Sequence, residues 1–271
     1  MPYYIILANR LDWNFPLLVV SLLLLCFYYF FIYYRKSSGK HSLLFIIGMC
    51  LFYLLAGSPI AEISHISFTT HMFQISMLYF IIPPLLLFGI PKDLFRFLFM
   101  KKIKLDPIII MIIFAFFLYI YHTPAFLEFV TTQKSYHTLF TWFLFILSIF
   151  MWIPLISSKI NQNVCFEKSL MKLNVWFITP ACLLFLFLPF QSVNPMLLQM
   201  LNLCFPPTET TKLIQPLINI QLDQQLAGII MFFMHKVGLA MTTILDQVIH
   251  NRERSFGYSC SVDFFFIQKL Q

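Results

Sequence analysis

The sequence predicts an all-α protein: a polytopic membrane helix bundle of about seven transmembrane helices, with its N-terminus outside and its C-terminus cytoplasmic. Three observations lead there. The chain is 60% hydrophobic and only 11% charged over 271 residues, with a mean hydropathy of +0.82, whereas soluble domains carry about 25% charged residues. Apolar stretches long enough to cross a bilayer recur along the whole sequence. Lys and Arg concentrate in alternate loops, as the positive-inside rule requires.

The expected spans are about 16–34, 42–57, 71–90, 106–122, 138–156, 175–190 and 225–245. The first lacks a basic leader and a small-residue cleavage site, and its apolar core runs the length of a full span. It therefore reads as a retained helix rather than a signal peptide. The second and sixth are short, and the sixth stops at Pro189. The third opens with His71, carries Gln74 one turn on and on the same face, and contains Pro83-Pro84. A double proline at membrane depth leaves backbone carbonyls without partners, so neighbouring helices must surround it. Residues 1–250 are expected to form a single membrane domain, with 251–271 as a cytoplasmic tail.

Charge orients these spans. Fourteen of the 18 Lys and Arg residues fall on one side: Arg35, Lys36 and Lys40; Lys92, Arg96, Lys101, Lys102 and Lys104; Lys159, Lys168 and Lys172; Arg252, Arg254 and Lys269. The other side holds Arg10, Lys134 and Lys212, and Lys236 falls inside the last span. The net charge of +7 thus reflects topology, and no nucleic-acid partner is expected. The lipid bilayer is the first partner. The 34 Phe and 12 Tyr suit lipid-facing and interfacial surfaces.

With the topology set, polar residues sort by side. His65, His71, His122 and His137 fall at outer helix ends or outer loops, together with Glu62, Glu128, Glu209 and Asp223. His122 ends the fourth span and His137 begins the fifth, so a short loop is able to bring them together. Imidazoles gathered at one membrane face suit copper, zinc or haem iron. Met72 and Met77 offer soft thioethers. Against this stands a plainer reading: histidines are common at membrane interfaces, and methionines are common packing residues in apolar helices. His235 and Lys236 lie near mid-membrane with no carboxylate at that depth, which points to a snorkelling lysine or an ion path.

The six cysteines, Cys26, Cys50, Cys165, Cys182, Cys204 and Cys260, include no C-x-x-C pair, so neither a thiol metal clip nor a redox motif is present. Nothing matches a nucleophile with its base, a phosphate loop or a zinc-protease helix. The chain does not read as an enzyme.

Several short pieces, in order, resemble the CtaG family of bacterial cytochrome c oxidase assembly factors in its Gram-positive form. They are Gly57-Ser58-Pro59-Ile60, His65, residues 68–91, Tyr121-His122-Thr123-Pro124, Tyr136-His137-Thr138-Leu139 and Met151-Trp152-Ile153-Pro154-Leu155. Thr179-Pro180-Ala181-Cys182, Leu201-Asn202-Leu203-Cys204-Phe205-Pro206 and Asp223-Gln224-Gln225-Leu226-Ala227-Gly228 complete the set. The resemblance implies a multi-pass protein of the bacterial cell membrane that helps to build a caa-type haem–copper oxidase, with oxidase subunits as partners and help in copper delivery at the outer face. In many relatives the third span begins with two histidines four apart, and here the second position is Ile75. A second histidine is also common four residues after the one matching His137, and here that position is Thr141. The expected metal residues are His71, His122 and His137, with His65 behind them. Gln74, Asp223 and Lys236 are further candidates. Two other readings stand beside the assembly factor: a transporter for copper or another small solute, which predicts broken helices around a midplane site, and a haem-handling membrane protein.

Overall fold

The computed structural model describes residues 13–35, 42–64, 67–95, 98, 106–131, 134–160, 164–187 and 219–250. These are helical with short connections, and no strand occurs among them. The helices are α1 (Phe15–Arg35), α2 (Ser42–Ala56), α3 (Ile60–Ile63), α4 (Phe68–Ser76), a π-helical turn (Met77–Ile81), α5 (Ile82–Gly89), α6 (Lys92–Phe95), α7 (Pro107–Tyr121), α8 (Pro124–Thr131), α9 (Lys134–Ile160), α10 (Val164–Phe187) and α11 (Ile220–His250). Helix occurs in each of the seven segments expected from the sequence, and residues 188–190 of the sixth lie outside the described residues. Four helical stretches are long and apolar enough to cross a membrane: Phe15–Tyr34, Phe68–Gly89, Ser135–Ser157 and Gln221–Ile249. α2 and α7 are shorter apolar helices. α10 starts eleven residues earlier than expected, so Glu167, Lys168 and Lys172 ride on its first half. The expected tail at 251–271 and the loop motif at 201–206 lie outside the described residues.

The continuous rod formed by α4, the π turn and α5 is the axis of the bundle. In this stretch 83% of the membrane-length window is buried, against 11% for α1. α2, α9 and α11 pack on the rod, α7 packs on α9 and meets the rod through Phe114 and Tyr121, and α10 closes the ring by lying on α7, α9 and α11. The contacts also fix the directions of the helices. Asp223 meets Phe68, and fifteen residues on Gly238 meets Phe80, so α11 runs parallel to the rod. α9 does likewise, from the His71–His137 pair to Trp152 beside Tyr79. α2 and α7 run the opposite way, since Gly89 lies on Phe45 and Gln74 on Leu55, while His71 meets Tyr121 and Tyr79 meets Phe114. One end of the bundle therefore collects the starts of α4, α9 and α11 and the ends of α2 and α7.

The double proline does not break the rod. Pro83 and Pro84 have no N–H to give to the carbonyls four residues back, which are those of Tyr79 and Phe80. A π turn precedes them, with Ile82 N–H bonded to Met77 O, and its wider ring lets the chain pass the pyrrolidines and continue as α5. The freed carbonyls are answered from other helices. Tyr79 O accepts from Trp152 Nε1 at 2.9 Å and from the Ser148 hydroxyl, both on α9. Phe80 O presses on Gly238 of α11, where a Cβ would sit 2.5 Å from it. The neighbours that the sequence argument demanded are these. Gly89 makes a similar close approach, with its Cβ position 2.4 Å from Phe45 N of α2.

The rod also begins on a built cap. Ser67 is extended and its side chain accepts from Thr70 N. The carboxylate of Asp223 accepts from Phe68 N at 2.7 Å and Thr69 N at 3.1 Å, while Thr69 Oγ1 donates to Asp223 O at 3.0 Å. An anion there satisfies first-turn donors and meets the positive end of the helix dipole. Asp223, singled out in the sequence as a candidate functional residue, thus clamps the start of α11 onto the start of α4.

Candidate functional site

The collected end carries the polar residues of interest. His71 lies one turn into α4 on its buried face, 1% exposed, because Phe68, Met72 and Ile75 on the same side pack into the core. Gln74, one turn on, holds its amide in place with Nε2 donating to Leu55 O at 2.6 Å and Oε1 accepting from Ser64 Oγ at 2.6 Å. It ties the end of α2 and the residue after α3 to the rod.

His71 and His137 come together, with ring centroids 5.5 Å apart. Between them stands Tyr121, the last residue of α7. Its hydroxyl is 3.0 Å from His71 Nε2 and 2.9 Å from His137 Nε2. Tyr121 is fully buried and its ring stacks on Phe140 with centroids 5.5 Å apart. A phenol has one proton to give. It can donate to at most one of the two imidazoles, so at least one of them donates to the phenol oxygen through a protonated Nε2.

A cavity of about 210 Å³ opens beside this cluster. Its polar wall is His71, Gln74, His137, Thr138, Thr141 and Asn14, and its apolar wall includes Phe52, Leu78, Trp142 and Phe145. Thr141, one turn after His137, turns its hydroxyl to His137 O at 2.9 Å. Ile75, the other position where relatives carry a second histidine, is buried in the core.

His122 behaves differently from its neighbour. It caps α7 and is fully buried, with Nδ1 2.6 Å from Leu118 O and its ring edge-on to Tyr121 at 5.2 Å. Residues 121 and 122 are separated by a large turn about the helix axis, so one reaches the pair and the other folds back on its own helix. His65 lies outside the described residues. Among the described residues no three of His, Cys, Asp and Glu are placed to hold a metal ion. The gathering expected from the sequence is therefore a pair joined through a tyrosine. Met72 is fully buried in the core, as the packing reading expects.

A second polar cluster lies deeper. His235 of α11 is fully buried, with Nε2 2.7 Å from Asn174 Oδ1 of α10. Asn174 Nδ2 donates to Met151 Sδ of α9 at 3.2 Å, and the His235 ring packs 4.9 Å from that of Phe80. Lys236, next in sequence, points elsewhere, with Nζ 5.0 Å from the centroid of Phe232. It does not line the cavity at the His71 end.

Tyr121 and Asn174 were not singled out as site residues from the sequence. The signal for Tyr121 was its place at the end of an apolar span, next to a histidine. For Asn174 it was an amide side chain inside an apolar run, which has to find a partner at that depth.

Fold and site together define a class: a helical membrane protein with an internal polar cluster and a small cavity at one end of its bundle. The chain belongs to the cytochrome c oxidase caa3 assembly factor family, whose sequence model matches residues 25–245. That span covers the rod, the His71–Tyr121–His137 cluster and the deeper one, and it agrees with the resemblance read from the short motifs. Neither a curated protein nor a solved structure matches the chain.

Proposed function

We propose that this protein is a non-catalytic assembly factor of the bacterial cell membrane for a haem–copper cytochrome c oxidase, and that the His71–Tyr121–His137 cluster is where it handles copper. The observation that carries this reading is two imidazole nitrogens aimed at one atom beside a cavity. Imidazole suits copper. Two imidazoles without a third His, Cys, Asp or Glu among the described residues do not make the closed four-ligand cage of a structural zinc site. They suit an ion that is held briefly and passed on.

In this reading the residues divide the work. His71 and His137 supply the donor nitrogens, and Gln74 fixes the wall that holds His71. Phe140 and Tyr121 keep the two rings on one side of the cavity. Copper, when bound, supplies the cargo that the oxidase needs in order to reduce oxygen. The apolar face of α1, where Leu22, Leu23, Phe27 and Phe30 are exposed, is free for lipid or for an oxidase subunit.

The reading also includes seven crossings with the cluster at the outer face. The parallel course of the rod, α9 and α11 supports an alternating bundle in which they are the third, fifth and seventh spans. The loop charges support the orientation. A membrane-impermeant maleimide should label a Ser135→Cys variant on intact cells, and labelling only after lysis would reverse the orientation.

The deciding experiment compares membranes with and without the protein. An oxidase that has its haem but lacks copper in the deletion strain supports copper insertion. A fully copper-loaded, active oxidase overturns the assembly reading.

A further inference from the structure

We infer that Tyr121 is a competitor for the metal-binding nitrogens, set in the site to keep binding weak and release fast. The inference rests on the copper reading of the His71–His137 pair. The Tyr121 hydroxyl lies within hydrogen-bond distance of both Nε2 atoms at once, 3.0 and 2.9 Å away. Any ion that binds through both nitrogens has to lie where that oxygen now lies, so the hydroxyl must leave before the ion enters.

The geometry makes the hydroxyl a stable occupant. Its ring is held by stacking on Phe140 and is fully buried at the end of α7. His71 is fixed on the rod and His137 on α9, so neither imidazole has to travel to meet it. Leaving requires two hydrogen bonds to break, the one to His71 buried and the one to His137 part-buried, and each is replaced by a bond from the same nitrogen to the ion. The exchange also resets protons. The imidazole that donated through Nε2 must carry its proton on Nδ1, or lose it to water, before Nε2 is a ligand. The adjoining cavity gives the displaced phenol and an incoming ligand room to move. When the ion departs, the hydroxyl returns and closes the pair, which drives release forward.

The same residues admit an opposite role, in which the phenol oxygen is a third ligand. The two roles differ in sign. Tyr121→Phe keeps the ring, its stacking and its burial, and removes the oxygen alone.

The test is Cu(I) affinity of the purified full-length protein in detergent, measured by competition with a chromophoric Cu(I) chelator. Wild type, Tyr121→Phe, His71→Ala and the His71→Ala/Tyr121→Phe double variant are compared, and helical content is checked by circular dichroism. Tyr121→Phe should bind Cu(I) roughly tenfold more tightly, the order set by one or two hydrogen bonds that no longer have to be broken. It should also give the ion up to chelator more slowly. His71→Ala should abolish the gain. Equal affinity in wild type and Tyr121→Phe overturns the inference and leaves the copper reading in place. Weaker binding by Tyr121→Phe overturns it in favour of a ligating tyrosine. No saturable Cu(I) binding by either protein overturns the copper reading and the inference together.

Discussion

His71 and His235 are both buried, both lie on helices of the central packing unit, and both engage a neighbour through Nε2. Their surroundings separate them. The partner of His71 is a hydroxyl shared with a second histidine, beside a cavity. The partner of His235 is an amide whose other end is already engaged by Met151, under the ring of Phe80. One imidazole sits where a partner can be exchanged, and the other where every neighbour is locked by another. Residue type and burial alone do not identify a working histidine in a membrane bundle. Under the copper reading proposed above, room and a replaceable partner are what set His71 apart.

The largest effect that follows is functional. His71→Ala should abolish maturation of the oxidase while the protein still accumulates in the membrane, read by oxidase activity against an immunoblot. His235→Ala should act the other way, lowering the amount of protein while activity per molecule holds. Normal oxidase activity in His71→Ala would sink the site assignment. Loss of activity at full protein level in His235→Ala would erase the distinction between the two clusters.

Asn174→Ala sharpens the same contrast. It strips His235 Nε2 of its partner and leaves a space between α9, α10 and α11. An orphaned buried polar group costs roughly 3 kcal/mol at most, and hydrogen bonds between membrane helices average nearer 1 kcal/mol. The expected outcome is a clearly lower midpoint of thermal unfolding in detergent with Cu(I) affinity unchanged. An unchanged midpoint would mean that the amide bridge adds nothing to the stability of the bundle.

The contrast was only half legible in the sequence. Hydropathy marked segments in which the described residues are helical, four of them long and apolar enough to cross a membrane, because a chain suited to lipid needs continuous apolar runs whatever the tertiary contacts. His71 and Gln74 were legible as partners because helical spacing alone puts them on one face. Tyr121 was not, because whether residue 121 or 122 faces the bundle depends on the rotation of α7, which packing sets. Asn174 was passed over because its partner lies sixty-one positions away. The span through Pro83-Pro84 was legible as one continuous stretch, but the π turn that carries the chain through was not, because the Tyr79 carbonyl it frees is answered by Ser148 and Trp152 of a different helix. Asp223 drew attention as an acidic residue at a helix start, and its partners proved to be backbone amides of another helix.

The close approach of α11 to the rod offers a test that involves neither histidine. Gly238→Ala would place a methyl group 2.5 Å from Phe80 O. That carbonyl belongs to the double-proline segment and has little freedom to retreat. Overpacking of this kind costs about 2 kcal/mol. The unfolding midpoint should fall, and a Gly89→Ala variant should fall with it, since its methyl would meet the backbone of Phe45. Full stability in Gly238→Ala would show that the helices separate more readily than the buried rod implies.

The smallest effect concerns the cap. Asp223→Ala removes the carboxylate that accepts from Phe68 N and Thr69 N, and Ser67 remains to accept from Thr70 N. Loss of a cap side chain costs about 1 kcal/mol. Asp223→Asn should cost less, because an amide oxygen still accepts while the charge facing the helix dipole is gone. His71 lies only one turn beyond the cap, so the two variants also ask whether the pair at the cavity depends on how firmly the rod begins. If Tyr121 and Phe140 hold the cluster by themselves, Cu(I) affinity should change less than threefold in both variants while the midpoint shifts. A loss of binding as large as that of His71→Ala would instead make Asp223 a positioning residue for the site, and the division between a working cluster and its structural supports would have to be redrawn at the start of the rod.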